Sequence, residues 1–504
     1  MRSVEPSAAV EDLATIAALP VRRAAQDPDG VCVSDAARTL SNAAFAADVD
    51  RLARTLLHAG VGSGDVVAVM LPNCCEIVTT MFAAWRIGAT LTPVNPALTD
   101  PEVAYQLEDC SARALVGDTR SRDLAREGGL AWVDAERIHA TGYVDATDEL
   151  EPADEVTLMS DFAFVIYTSG TTGRPKGCLL DHHNVDAMVR SISEHMHLTA
   201  QDRSLLVLPL FHCNGLVVGT LSVLLAGGSV SIGPRFDPET FWDAVEQTRP
   251  TFFSAVPTMY ALLEGRTTRP VDTSSLRFVV CGAAPMPAEL IERFERRFGV
   301  PVVEGYGLSE GTVASTVNPV DGPRKAGTVG PALPGQVVEI EGPDGRRLPP
   351  GQRGEVVIQG PNVMRGYLGR PEETALVVKD GWLHTGDVGY LDEDGYLVLV
   401  DRLKDMIIRG GENIYPQEIE HVLYAHPDVL EAAVVGQPDA VLGEVPVAYV
   451  APRPGSTLDP TELREHCRGS LARYKIPHSI HVRPSLPKNA VGKLIKAPLR
   501  TPRN

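Results

Sequence analysis

Eleven residues from Tyr167 to Gly177, reading Tyr-Thr-Ser-Gly-Thr-Thr-Gly-Arg-Pro-Lys-Gly, open at the end of the apolar run 162–168. They combine three glycines with the hydroxyls of Thr168, Ser169, Thr171 and Thr172 and the ammonium of Lys176. Glycine leaves backbone amides accessible, and amides, hydroxyls and a cation together can wrap a polyphosphate. No Gly-Lys-Ser/Thr closes the run, so it departs from the Walker form of such a loop. A plain surface turn shares this composition, but eleven such residues ending in Pro-Lys-Gly favour phosphate. Asp387 ends Trp-Leu-His-Thr-Gly-Asp. A carboxylate accepts two hydrogen bonds at once and suits a vicinal diol, although Thr-Gly-Asp alone reads as a turn. Lys493 ends Pro-Lys-Asn-Ala-Val-Gly-Lys, where Gly492 suits a tight turn that presents a side chain at a loop tip.

These residues need elements to hold them. Short apolar runs at 65–71, 112–118, 162–168, 204–210, 251–256 and 277–282 read as buried parallel strands, and helical patterns at 75–87 and 288–298 lie between them. Alternating strands and helices predict α/β layering. After about residue 325 short strands separated by Gly and Pro predict a β-rich region, and beyond Asp401 a separate α+β domain with a helix from Pro460 to about Arg473. The 31 uncharged residues from Ser204 to Pro234 are broken by Pro209, His212 and Asn214, and predict a buried strand, loop and core helix rather than a membrane span. The eight cysteines show no CxxC pair or zinc spacing and read as reduced thiols of a cytoplasmic chain. Acidic residues break up the N-terminal segment, so export is not expected.

The 504 residues carry 46 Lys and Arg against 65 Asp and Glu, a net charge of −19, which argues against a nucleic-acid or anionic-membrane partner. Arg468 to Asn504 nevertheless holds nine Lys and Arg and no acid. That asymmetry calls for an explanation.

The segment Tyr167 to Gly177 resembles the phosphate-loop signature of the adenylate-forming superfamily, which includes acyl-CoA synthetases, luciferases and peptide-synthetase adenylation domains. Further motifs follow in that family's order: PLFHCNG (209–215), CGAAP (281–285), EGYGLSEG (304–311), WLHTGD (382–387), DRLKDMIIRGGENIYPQEIE (401–420) and PKNAVGK (487–493). The resemblance is to the acyl-CoA synthetase branch, with fatty-acid and 4-coumarate ligases. It implies an α/β N-terminal domain, 1–401, made of two parallel-sheet subdomains and a β-rich one. A hinge at 402–406 about Lys404 and a mobile α+β domain at 407–504 would follow.

By the same resemblance ATP is held by Thr168, Ser169, Gly170, Thr171, Thr172, Gly173 and Lys176. Gly282, Ala283, Ala284 and Tyr306 serve the adenine side, Gly307 and Ser309 also bind the nucleotide, Asp387 and Arg402 serve the ribose, and Glu310 the Mg²⁺. A carboxylate oxygen is a hard ligand suited to that ion. Lys493 would neutralise charge where the substrate carboxylate meets the α-phosphate. The acyl pocket implied is His212, Cys213, Asn214, Leu216, Val217, Phe253, Ala255 and Gly305, with His212 also near the chemistry. Arg409, Gly410 and Gly411 would receive coenzyme A. Malonate-activating relatives carry Arg at the position of Gly305, and an unpaired second carboxylate there is costly, so diacids are expected to be poor substrates. The implied activity is ATP-dependent formation of a CoA thioester from a hydrophobic monocarboxylic acid, long- or medium-chain, aryl or bulky cyclic, through an acyl-adenylate. Loading of a carrier protein's phosphopantetheine and a luciferase-like oxidative reaction are the alternatives.

Overall fold

The computed structural model describes residues 16–138, 162–168, 174–284, 286–402, 405–410, 412–439, 441–488 and 494–500. Two compact units divide the chain, one of Met1–Ser193, Leu198–Arg235 and Met364–Pro371, the other of Glu194–His197, Phe236–Val363 and Glu372–Asn504.

In the first unit the apolar runs form the middle of a sheet ordered Gly366–Tyr367, Lys176–Asp181, Phe162–Thr168, Thr90–Pro93, Val66–Met70, Ala112–Gly117, Ala131–Asp134. From Phe162–Thr168 onward the neighbours are parallel. Helices Cys75–Arg86, Asp100–Asp109 and Thr119–Glu127 make crossovers between strands. Strands covered on both faces are uniformly apolar, which is why these runs were legible as strands. Lys176–Asp181 breaks the parallel rule by returning antiparallel to Phe162–Thr168. The glycine-rich loop therefore joins the two arms of a hairpin, rather than leading from a strand into a helix.

Side chains from the neighbouring elements pin the strand that feeds this loop. Trp85 Nε1 donates to the Ala163 carbonyl at 2.9 Å, Thr90 Oγ1 to Phe162 O at 3.0 Å and Thr92 Oγ1 to Val165 O at 2.9 Å. Trp85 is fully buried, with Phe82 and Phe164 packed edge-on at 5.4 and 5.1 Å. The uncharged stretch 204–234 holds the expected strand, Arg203–Leu206, and helix, and adds a second strand, Ser229–Ile232. Its helix is π-wound over Asn214–Leu221, and the hydroxyls of Thr220 and Ser222 bond to carbonyls five residues back at 2.8 Å.

The second unit contains the parallel strands Phe252–Ala255, Val279–Cys281 and Val302–Tyr306, with Thr316–Val317 antiparallel beside the last. Beyond them Val337–Glu341, Gly354–Gln359, Trp382–Leu391 and Leu397–Arg402 pair antiparallel in turn, matching the change of texture after residue 325. The C-terminal α+β portion packs helices Pro416–Tyr424 and Pro460–Ser470 on a sheet built around Val429–Asp439 and Gly443–Pro452, with Ile407, Ile419, Leu423, Val434 and Leu463 in its core.

Much of the basic tail pairs with nearby acids. Lys496 lies 2.8 Å from Glu420, while Arg468 pairs with Glu465, Lys475 with Glu418, Lys488 with Glu431 and Arg500 with Asp405. Five of the nine cations thus meet acids supplied by residues 405–465. Among the described residues no helix is long and apolar enough to cross a membrane.

Trp85→Phe keeps most of the ring packing but removes the donor to Ala163. It should lower unfolding free energy by roughly 1–3 kcal/mol in urea titration, because a buried carbonyl loses a partner. A change under about 0.5 kcal/mol would mean that the indole bond does not hold the strand.

Candidate active site

The hairpin register sets Thr168 directly opposite Lys176 and Tyr167 opposite Gly177, so both ends of the phosphate loop are clamped in one ladder. A Cβ at Gly177 would come within 2.7 Å of Val165 Cγ1, so packing inside the ladder already demands glycine there. Two tyrosines brace the base. Tyr105 Oη donates to Pro175 O at 3.1 Å and accepts from Arg370 at 2.8 Å; Tyr167 Oη donates to Asp109 Oδ2 at 2.8 Å. The Lys176 ammonium lies 5.0 Å from the centre of the Tyr367 ring. Ser169, Gly170, Thr171, Thr172 and Gly173 lie outside the described residues.

In the second unit Tyr306, Asp387 and Arg402 come into direct contact. Tyr306 Oη donates to Asp387 Oδ2 at 2.6 Å, and Arg402 Nε lies 2.9 Å from Asp387 Oδ1. Asp387 is 5% exposed, so each oxygen of a nearly dry carboxylate has a partner. Burial works against the Arg402 charge, but Asp387, with Tyr306, Asp405 and Glu310, more than offsets it and raises the guanidinium's pKa. Burial and the Asp387 charge push the Tyr306 phenol well above its ordinary value, so it remains a donor.

Asp387 reaches this place through a bulge. Gly354–Gln359 and Trp382–Leu391 pair at Glu355↔Val388 and again at Val357↔His384, leaving extra residues at 385–387. Bulges re-aim side chains in this way. Three side chains hold it: Glu355 Oε1 accepts from Gly386 N at 3.0 Å, Thr385 Oγ1 donates to Val356 O at 2.7 Å, and Glu355 Oε2 lies 3.0 Å from His384 Nδ1. Gly386 has φ +70°, a left-handed conformation suited to glycine. Sequence reasoning missed Glu355 and Thr385 as supports. The only sequence signal was the glycine before Asp387, since the pairing partner lies some thirty residues away.

Gly282, Ala283 and Ala284 follow the strand Val279–Cys281, which is paired with the strand carrying Tyr306. Ala283 takes φ +67°. Glu304, also overlooked, ties these segments together by accepting from Met286 N at 3.1 Å. Burial pushes its carboxyl up to about 7. A Cβ on Gly307 would lie 2.2 Å from Val313 O and 2.5 Å from Ala314 Cα, so this glycine admits a neighbouring turn of the chain itself. Ser309 and Glu310 form the 3-10 turn Ser309–Gly311, and Glu310 is partly exposed. A half-solvated hard oxygen that shares the field of Arg402 fits Mg²⁺, which keeps few protein ligands.

The residues expected to line the acyl pocket divide between the units. His212, Cys213, Asn214, Leu216 and Val217 are in the first, where Leu216 and Val217 are fully buried. Burial depresses His212 to about 4, so its imidazole is neutral at pH 7. Phe253, Ala255 and Gly305 are in the second, and Phe253 is fully buried with Phe241 at 4.9 Å and Tyr260 at 5.8 Å. Arg409 donates to the Tyr474 carbonyl, and Gly410 N bonds to Leu442 O at 2.7 Å. Lys404, Gly411 and Lys493 lie outside the described residues.

Glu304 generates a stability prediction. Its folded pKa of about 7 exceeds the ordinary 4.5, so between these values the native state binds more protons than the unfolded chain. Stability from this group is therefore present at low pH and lost as pH rises through about 7. Glu304→Gln keeps an acceptor for Met286 and cannot ionise. It should melt above the wild type at pH 8, with the difference shrinking toward pH 5; a difference independent of pH would refute the assignment.

The AMP-binding enzyme family matches residues 21–368, and the AMP-binding enzyme C-terminal domain matches 418–493. A feruloyl-CoA synthase of Amycolatopsis is 42% identical over 95% of this chain and 97% of its own. An indoleacetate–CoA ligase of Aromatoleum aromaticum is 40% identical over 95% and 96%. The ATP-bound structure of MatB from Rhodopseudomonas palustris superposes with a TM-score of 0.88 at 34% identity, covering 96% of this chain and 98% of that one. With a phosphate-loop hairpin, a Tyr–Asp–Arg cluster and matches across both regions, the chain belongs to the adenylate-forming AMP-binding enzymes, in their CoA ligase branch.

Proposed function

We propose that the protein joins a hydrophobic monocarboxylic acid to coenzyme A at the expense of ATP. The observation that carries this reading is Asp387, presented on its bulge with Tyr306 and Arg402 on its two oxygens. Spare lone pairs on that carboxylate suit the ribose hydroxyls of the nucleotide. In the first step a substrate carboxylate oxygen attacks the α-phosphorus, the bond to the β-phosphate bridge breaks, and pyrophosphate leaves. Lys493 stabilises the charge that develops as these anions meet. Mg²⁺, when bound, neutralises phosphate charge, and Glu310 is the residue that would hold it. In the second step the CoA thiol attacks the acyl carbon, the bond to the AMP oxygen breaks, and the thiol proton passes to water. Between steps the domain 407–504 turns about the hinge 402–406 at Lys404, and Arg409, Gly410 and Gly411 receive CoA.

The named relatives support CoA over a carrier-bound thiol, and the two aromatic acids in their names favour an aryl substrate. Two features disfavour a second carboxylate. A Cβ at Gly305 would lie 3.1 Å from Val317 Cγ2, so no cation extends from that position, and His212 is neutral. Eight unbridged cysteines are in keeping with a cytoplasmic location.

The test is CoA-dependent AMP release with ferulate, indoleacetate, a long-chain fatty acid and malonate. At least one hydrophobic monoacid should exceed malonate about tenfold or more in kcat/KM, a margin of ~1.4 kcal/mol; malonate as the best substrate would overturn the reading. Lys493→Ala should slow adenylation on the order of a hundredfold or more while sparing thioester formation from supplied acyl-adenylate. Equal loss of both half-reactions would remove Lys493 from the first step.

A further inference from the structure

Directly after Glu310 the backbone enters an unusual conformation. Thr312 has φ +58° and Val313 has φ +113°. A β-branched residue seldom adopts a positive φ, and two consecutive ones persist only where surrounding contacts enforce them. Some of that enforcement is local: Gly311 N and Val313 N both bond to Leu308 O at 3.0 Å, and Thr312 N bonds to Ser309 O at 3.0 Å.

More comes from one distant residue. Asn362, 1% exposed, lies in the turn after the strand Gly354–Gln359. Its Nδ2 donates to Gly311 O at 3.1 Å, and its backbone carbonyl accepts from Thr312 Oγ1 at 2.6 Å. The two bonds grip both sides of the Gly311–Thr312 peptide, immediately after the Glu310 carboxylate. Thr312 and Ser315 are fully buried here, and among the described residues Asn362 Oδ1 and Ser315 Oγ find no hydrogen-bond partner. A buried amide with half its capacity unused is poor packing. Its placement is better explained by the geometry it imposes than by stability alone.

We propose that Asn362 is a positioning residue for the nucleotide half-reaction: by clamping Gly311 and Thr312 it holds the left-handed Thr312–Val313 pair and thereby fixes the direction of Glu310. This rests on the reading of Glu310 as the residue that holds Mg²⁺ with ATP. The clamp acts through Glu310 and touches no substrate. Without it the turn relaxes toward ordinary backbone conformations, and Glu310 shares in the movement.

Four full-length variants test this, each assayed below its own unfolding midpoint: Asn362→Ala, Val313→Gly, the double variant, and Glu310→Gln as reference. Asn362→Ala should raise the KM for MgATP about five- to tenfold and shift the Mg²⁺ concentration for half-maximal rate upward, leaving the KM for the acid within twofold. Val313→Gly makes the left-handed conformation intrinsically acceptable, so the double variant should recover most of the MgATP KM. An unchanged MgATP KM in Asn362→Ala, with or without a lower unfolding midpoint, would overturn the proposal. So would parallel increases for acid and MgATP, or a double variant no better than Asn362→Ala. Glu310→Gln separates the two levels: if it leaves the Mg²⁺ dependence untouched, the reading of Glu310 fails and the proposal with it. If it shifts that dependence while Asn362→Ala does not, only the clamp is wrong.

Discussion

A carboxylate kept nearly out of water must be paired on every side from which water has been removed, and Asp387 imposes this demand on three strands of the second unit. Tyr306 comes from the parallel α/β portion, while Arg402 and Asp387 come from neighbouring strands of the antiparallel sheet. Losing one partner of such a group is costly, because a nearly dry carboxylate is left less compensated. The strand end at Tyr306, the bulge at 385–387 and the strand end at Arg402 are thus energetically tied.

The same logic extends outward through side chains with no direct chemical duty. Glu355 and Thr385 keep the bulge from collapsing into regular pairing. In the first unit Trp85, Thr90 and Thr92 spend buried polar atoms on the carbonyls of one strand, the strand that launches the phosphate loop. Buried hydrogen bonds specify register more than they add stability, since each is worth only about 1 kcal/mol net. In both units their effect is to set where a loop begins and which way it points.

This division explains what was legible in the sequence. Apolar runs such as 65–71 and 112–118 announced parallel strands because burial on both faces removes alternation. The motif residues Tyr306, Asp387 and Arg402 were legible because ligand chemistry fixes residue types, and the structure brings them together. The antiparallel return at Lys176–Asp181 was not legible, since it begins and ends on charged residues and its register is set by a partner strand. Glu355, Glu304 and Asn362 were invisible for a related reason: their partners are 18 to 51 residues away, beyond any local pattern. For the basic tail, composition records cations but not the acids they meet, and five of the nine find theirs within 405–465.

Charge shows how finely such local pairing can differ from the average. A net charge of −19 keeps the molecule soluble and says little about any one site. Among the buried titratable groups, His212 and Glu304 have both been pushed toward their neutral forms by desolvation, one downward and one upward. Arg402 is shifted the other way, its charge held in place by Asp387 and Glu310. The sequence thus places formal charge at several motif positions, and burial then decides which survive: the guanidinium stays ionised beside acids, whereas the imidazole of the acyl-side segment becomes a neutral polar edge.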